Sequence, residues 1–171
     1  MRPRRARDRT CPAHPISVGE VDATEMMQGL WQGGLGERAG CTLDFSDLDM
    51  VVVLCPTDQD EGRRVKVARP YPVIEIPLTD SRRDMAYIDE LHGLSKKVAD
   101  VVANEGRCGV FCWQGRNRSG LLTALVLRRL QGWSGRQAME HIRSYRPEAL
   151  DTASGVFEEY LAGLPAYRPR T

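Results

Sequence analysis

Cys112 closes a short apolar run, and Arg118 and Ser119 follow it after five intervening residues, in "CGVFCWQGRNRSG". A thiolate is a strong nucleophile, and a positive local field favours it over the thiol. A loop this short wraps around a point and aims successive backbone N–H groups inward, an anion nest. Gly115 permits the tight backbone such a cradle needs. A helix opening at Arg118 adds unsatisfied N–H groups and its positive dipole end. The Arg118 guanidinium is a planar fork able to grip two phosphate oxygens at once. The chemistry that suits this spacing is attack by the Cys112 sulfur on a phosphate cradled by Trp113, Gln114, Gly115, Arg116, Asn117 and Arg118. A buried cysteine beside a polar turn is the plain alternative. The joint presence of strand, glycine, arginine, serine and helix favours the nucleophile.

Such a loop has to be positioned by a strand behind it and a helix ahead of it. Four segments read as strands: Leu30 to Gly34, Met50 to Cys55, Val73 to Leu78 and Cys108 to Cys112. "MVVVLC" is a continuous β-branched run of buried-strand type. Ile88, Leu91, Leu94, Val98 and Val101 recur at helical steps, with Gly106 expected as the stop. "SGLLTALVLRRLQ" is apolar nearly all round and predicts a buried helix. Ser134 and Gln137 form a capping box for a further helix that Pro147 ends. A last helix carries Val156, Phe157, Tyr160 and Leu161. Strands alternating with helices predict one α/β domain with a central, largely parallel sheet of four to five strands flanked by helices. Ligand sites in such sheets form at the carboxyl ends of strands. Cys55, Asp80 and Cys112 all fall there. "GGLGERAG" does not give G-x-G-x-x-G and reads as a loose turn.

The bulk properties bound the function. A chain of 171 residues with 42% hydrophobic content suits one well-packed domain. A net charge of +1 argues against a general nucleic-acid binder. No apolar run approaches the length of a membrane span. Five cysteines without a signal-peptide pattern indicate a soluble protein of a reducing cytoplasm with free thiols. The expected division is a basic arm over 1–15, the domain over 16–165 and a loose tail over 166–171. Cys11 and His14 have a metal-ligand spacing but no second pair follows, so no metal is expected.

"CWQGRNRSG" resembles the Cys-x5-Arg-Ser/Thr signature of the cysteine-dependent protein tyrosine phosphatases, in their small dual-specificity branch. The resemblance spans about residues 28–162, with "LWQGG", "VVVLC", "IPLTDS" and "HIRSYRPEAL" similar to flanking family segments. Actinobacterial and phage members with a G-x-N-R-S-G-L loop look most similar. The resemblance implies a phosphatase needing no cofactor, acting on phosphotyrosine and on phosphoserine or phosphothreonine in proteins. It makes Cys112 the carrier of a phosphocysteine and the backbone from Trp113 to Arg118 the phosphate cradle, with Arg118 bidentate. Ser119 would ease departure of the sulfur, and Asp80 would protonate the leaving oxygen. Asp84 is the better-placed cap of the helix that follows. The residue before the nucleophile, usually histidine, is Phe111, which raises the prospect of a weaker enzyme. Two alternatives keep the same loop: a module that binds phosphoproteins without turnover, and an RNA 5′-phosphatase, against which the near-neutral charge counts. Trp113, Arg116, Arg63, Arg64, Arg82 and Arg83 are candidates for the pocket rim. Cys55 is either a redox partner for Cys112 or a buried strand-end thiol. Nothing in the sequence indicates an oligomeric state.

Overall fold

The structure, a computed structural model, describes residues 11–56, 65–68, 71–151 and 154–170. Its strands are β1 (Asp22–Met27), β2 (Leu30–Gly34), β3 (Thr42–Leu43), β4 (Met50–Val53), β5 (Lys66–Val67), β6 (Val73–Glu75) and β7 (Cys108–Cys112). The helices are α1 (Ile88–Ala103), α2 (Arg118–Gln131), α3 (Gly135–Tyr145) and α4 (Val156–Ala162). Five strands form one sheet in the order β1-β2-β7-β4-β6, and β3 pairs with β5 separately. Only the β1–β2 pair is antiparallel, so the centre is parallel and its carboxyl ends share one edge.

Strand residues alternate between two cores. Val52, Leu54, Cys108, Val110 and Cys112 pack with apolar side chains of α1 to α4. Val51, Val53 and Phe111 face the opposite side, where Ile16, Leu43, Phe45 and Leu48 cover them. Each central strand is therefore buried on both faces, which is why "MVVV" shows no polar alternation. Helix α2, packed against α1, α3 and the sheet, is buried from Ser119 through Arg128. Ser134 caps α3 in a reciprocal box with Gln137, as its spacing predicts.

Several expectations are corrected. Strand β4 stops at Val53 rather than Cys55, because Pro56 follows and has no N–H to give a ladder. Strand β6 ends at Glu75, short of Leu78, where the Leu78 N–H turns back to Ile76 O (2.9 Å) in place of β4. Strand β1 was not anticipated: "DATEMM" is polar, poor in β-branched residues and sits at the sheet edge. Helix α1 ends with Glu105, not Gly106, in the left-handed region (φ +64°). Glu105 N–H donates to Val102 O and Gly106 N–H to Val101 O, a Schellman motif with Gly106 one place further on.

The termini also depart from expectation. Residues 1–10 of the basic arm lie outside the described residues. Cys11 and Cys41 form a disulfide, so two of the five thiols are not free. In the tail, Tyr167 is docked, while Ala166 and residues 168–170 are exposed. Tyr167 N–H donates to Trp133 O (3.1 Å), Arg129 Nη1 donates to the Tyr167 hydroxyl (2.8 Å), and the Arg129 guanidinium lies over the same ring.

Candidate active site

Strand β7 ends at Cys112 and α2 begins at Arg118, at the carboxyl edge of the sheet. The carbonyls of the connecting loop are all turned towards donors outside it. Cys112 O accepts from Leu35 N–H (2.9 Å) and Trp113 O from Gly36 N–H (2.9 Å). Gln114 O accepts from Arg146 Nη2 (3.3 Å) and Gly115 O from Gln32 Nε2 (3.1 Å). Arg116 O accepts from Leu150 N–H (3.4 Å) and Asn117 O from Leu121 N–H (2.8 Å). The N–H groups from Trp113 to Arg118 have no protein acceptor among the described residues. A peptide whose carbonyl is held on one side presents its N–H on the other, so this loop is an anion nest braced from behind.

Glycines make that bracing possible. Gly115 has φ +69°, and a Cβ there would lie 2.4 Å from Gly33 C and 2.5 Å from Gly34 N. A Cβ on Gly34 would lie 2.7 Å from Gln114 C, and one on Gly36 2.9 Å from Trp113 O. "GGLGERAG" is thus no loose turn: Gly34 and Gly36 let the chain lie against the back of the loop, while Gly33 leaves room for β1 at Asp22 and Ala23.

The Cys112 sulfur is 2% exposed as part of its residue and lies 3.2 Å from Ser119 Oγ, in the first turn of α2. Arg118 Nη1 donates to Leu78 O (3.1 Å), which leaves Nε and Nη2 of the fork for a ligand. Phe111 is buried in the second core and stacks on Phe45, with ring centroids 5.4 Å apart. Gly109, two residues back on the same strand face, leaves room for that ring, since a Cβ would meet it at 2.5 Å. Where a histidine would supply polar order, Phe111 supplies packing.

The segment carrying Asp80 runs from Leu78 to a short 3-10 turn at Arg82–Tyr87. Asp84 is not the cap itself: Ser81 caps, accepting from Arg83 N–H, and Asp84 reciprocates from inside the turn. Asp84 is buried. Its Oδ1 accepts from Thr79 N–H (2.7 Å) and Thr79 Oγ1 (3.0 Å), and its Oδ2 from Asp80 N–H (2.8 Å) and Ser81 N–H (3.3 Å). Asp80 is exposed, has φ +61°, and accepts at Oδ2 from Asn117 Nδ2 (3.1 Å). The structure therefore brings Asp80 to the loop that starts at Cys112.

Other anticipated residues fall less centrally. Arg116 is paired with Glu148 (2.6 Å). The Trp113 ring packs back over Gly36 and the second core. Arg82 and Arg83 are exposed beside Asp80, and Arg63 and Arg64 lie outside the described residues. Cys55 is buried two residues past β4, next to β7. Burial pushes its thiol up to about 11; the Arg118 charge opposes this, while Cys112 and Glu75 add to it. Sequence reasoning missed Gln32 and Arg146, whose partners are far away in the chain. Arg146 also grips Asp22 through both terminal nitrogens (3.2 and 3.1 Å).

A cysteine at the carboxyl end of a central parallel strand, an anion nest and a following helix are the arrangement that the Cys-x5-Arg resemblance to the cysteine-dependent tyrosine phosphatase superfamily implies. Within it, the family model described as the dual specificity phosphatase catalytic domain matches residues 41–158. The chain belongs to that family, and its activity class is that of a phosphatase. Human DUSP28 is similar at 20% identity and a TM-score of 0.58, covering 87% of this chain and 97% of its own. Tk-PTP in its active form is similar at 22% identity and a TM-score of 0.57, covering 82% and 96%. PTPMT1 in complex with PI(5)P shares 15% identity with a TM-score of 0.58, covering 81% and 94%. A search of curated proteins found no match. Among the described residues, no helix is long and apolar enough to cross a membrane.

Proposed function

We propose that this chain hydrolyses phosphate monoesters on proteins, phosphotyrosine first and phosphoserine or phosphothreonine beside it, through a phosphocysteine at Cys112. The observation that carries this reading is the set of outward-held carbonyls around the Cys112 sulfur. It leaves the N–H groups of Trp113 to Arg118, with two nitrogens of Arg118, for the oxygens of a transferring phosphoryl group. The Cys112 thiolate forms a bond to phosphorus as the ester P–O bond breaks, and Asp80 gives its proton to the departing oxygen. Water then attacks phosphorus, gives a proton to the Asp80 carboxylate, and displaces the sulfur, which Ser119 stabilises by hydrogen bonding. All of these groups belong to the protein, so the reaction calls for no metal or cofactor.

Turnover of a phosphotyrosine peptide, with and without EDTA, tests the reading. Cys112→Ser should abolish turnover and keep tungstate binding, because the cradle survives while the hydroxyl stays un-ionised. Arg118→Lys should also fail, since an ammonium is no fork. Persistent turnover in Cys112→Ser would falsify the covalent mechanism. Parallel assays on phosphoinositide and RNA 5′-phosphate read the substrate class. Arg116, tied to Glu148, does not offer a free cation for a more highly charged headgroup.

A reducing cytoplasm belongs to the same reading, since Cys112 must stay reduced to act, and there the Cys11–Cys41 pair would be opened. Under peroxide, Cys112 would become a sulfenic acid, which the Cys55 thiol then attacks to give a disulfide and water. A thiol held near 11 reacts slowly at neutral pH, and trapping should speed up as pH rises towards that value. Peptide maps showing overoxidised Cys112 with no link to Cys55 would sink this part.

A further inference from the structure

Asp80 has an awkward position for a residue asked to deliver a proton to one atom. It is exposed, and its φ of +61° is a backbone conformation that non-glycine residues seldom adopt. Asp84 fixes its backbone N–H, but that leaves the side chain free to turn. One bond closes the gap: Asn117 Nδ2 donates to Asp80 Oδ2 (3.1 Å).

The orientation of the Asn117 amide is set from its other end. Asn117 Oδ1 accepts from Asp151 N–H (3.2 Å), and a backbone N–H can only donate. The oxygen of the amide must therefore face Asp151 and its NH2 must face Asp80. The segment that supplies this N–H is itself braced from α3: Arg143 Nε donates to Ala149 O (3.0 Å) and Arg143 Nη2 to Leu150 O (2.9 Å). Leu150, at φ +60°, donates its own N–H to Arg116 O. A chain of fixed groups thus runs from α3, through Asn117, to the carboxyl of Asp80.

We propose that the Asn117 side chain is a positioning residue for the general acid, and that it selects which oxygen of Asp80 carries the proton. This rests on the reading of Asp80 as that acid. In a protonated carboxyl group, the oxygen that accepts the Asn117 bond is the carbonyl oxygen. Oδ2 is that oxygen, so the proton sits on Oδ1, the one left to face the ester oxygen of a phosphate in the cradle. When Oδ1 releases its proton, the Asn117 N–H stays on Oδ2 and stabilises the carboxylate produced. The role is separate from the cradle, which uses the Asn117 backbone and not its amide.

The test is a double-mutant cycle read on two substrates. Phenyl phosphate has a poor leaving group and needs the acid, while 4-nitrophenyl phosphate needs it far less. Asn117→Ala should lower kcat on phenyl phosphate by about 10-fold, part of the about 10²–10⁴-fold that a general acid contributes. The loss on 4-nitrophenyl phosphate should be several times smaller, and tungstate affinity should be kept. In an Asp80→Asn background, Asn117→Ala should change the ratio of the two rates no further, because there is no acid left to position. A role confined to holding the loop would lower both rates alike in either background, and that result overturns the proposal. Asn117→Ser, polar and less disruptive, gives the same comparison if the alanine variant fails to fold. If Asp80→Asn shows the leaving-group-dependent loss and the Asn117 variants do not, the positioning role alone fails. If Asp80→Asn shows no such loss, the acid assignment fails and this proposal with it.

Discussion

The two loops that meet at the site are built in opposite ways. The acid loop is held locally: Asp84 bonds Thr79, Asp80 and Ser81, all within five residues. The phosphate loop is held from a distance, by Gln32, Leu35 and Gly36 on one side and Arg146 and Leu150 on another. The acid loop takes its shape from local bonds, and its place from the phosphate loop, through Asn117 on Asp80 and Arg118 on Leu78 O. A loop braced by remote segments is fixed to the sheet and the helices at once. That division suits the chemistry, since the cradle must be preorganised for developing charge and the acid need only be placed relative to the cradle.

The largest effect should come from breaking the remote bracing at its tightest contact. Gly115→Ala puts a methyl group 2.4 Å from the β2 backbone, at a φ of +69° that alanine avoids. The neighbours are main-chain atoms of a strand, so the loop must move instead of the wall. Displaced N–H donors should lower kcat by about 10²–10³-fold, the size of losing an oxyanion donor. Phenyl phosphate should lose at least as much as 4-nitrophenyl phosphate, because Asn117, which holds Asp80, moves with the same loop. A large loss on phenyl phosphate alone would place the damage at the Asn117–Asp80 bond and not at the N–H donors.

Breaking the local bracing should do less, and selectively. From sequence alone Asp84 is a helix cap that asparagine could replace. In the structure both carboxylate oxygens accept backbone N–H groups in a buried place. Asparagine has one acceptor oxygen, so in either orientation its NH2 faces a donor. Asp84→Asn should therefore destabilise the fold by about 1–3 kcal/mol, the penalty for an unmade buried bond. It should also reduce phenyl phosphate turnover by about tenfold, equivalent to about 1.4 kcal/mol of transition-state stabilisation. Thermal melts and rates on the two substrates check both effects; an equal loss on both substrates would assign Asp84 to the cradle.

What the sequence made legible follows the same division. Cys112, Gly115, Arg118 and Ser119 lie in one short run between a strand and a helix, and Ser81 and Asp84 lie at capping distance. These are local patterns, and reading them needs only spacing. Gln32 and Arg146 are 83 and 32 residues from their loop acceptors, and no periodicity connects them. The glycines at 33, 34 and 36 did carry a signal. Glycines at and just past the end of a strand are destabilising unless another backbone comes close; β1 comes close to Gly33, and the loop to Gly34 and Gly36. The parallel centre was legible from continuous apolar strands, whereas edge strand β1, with its polar sequence, was not. The docked Tyr167 depends on two arginines of α2, a contact with no trace in the tail's composition.

The smallest effect separates bracing from stability, and Gln32 is where the two come apart. It is fully buried, and its Nε2 holds Gly115 O while its Oε1 has no partner among the described residues. Removing a buried acceptor that lacks a donor removes a penalty, while losing the Nε2 bond leaves one carbonyl unpaired. The two terms oppose each other, so Gln32→Met, close in volume and flexible, should change the melting temperature little. Activity should still fall, because Gly115 O would no longer be held away from the cradle and its N–H partner could swing out. A loss of about threefold on both substrates, worth about 0.7 kcal/mol, is the expected reading. Equal activity at unchanged stability would show that Arg146 and the Leu35–Gly36 backbone hold the loop without help. A large drop in melting temperature with normal activity would make Gln32 a core residue that happens to touch the loop.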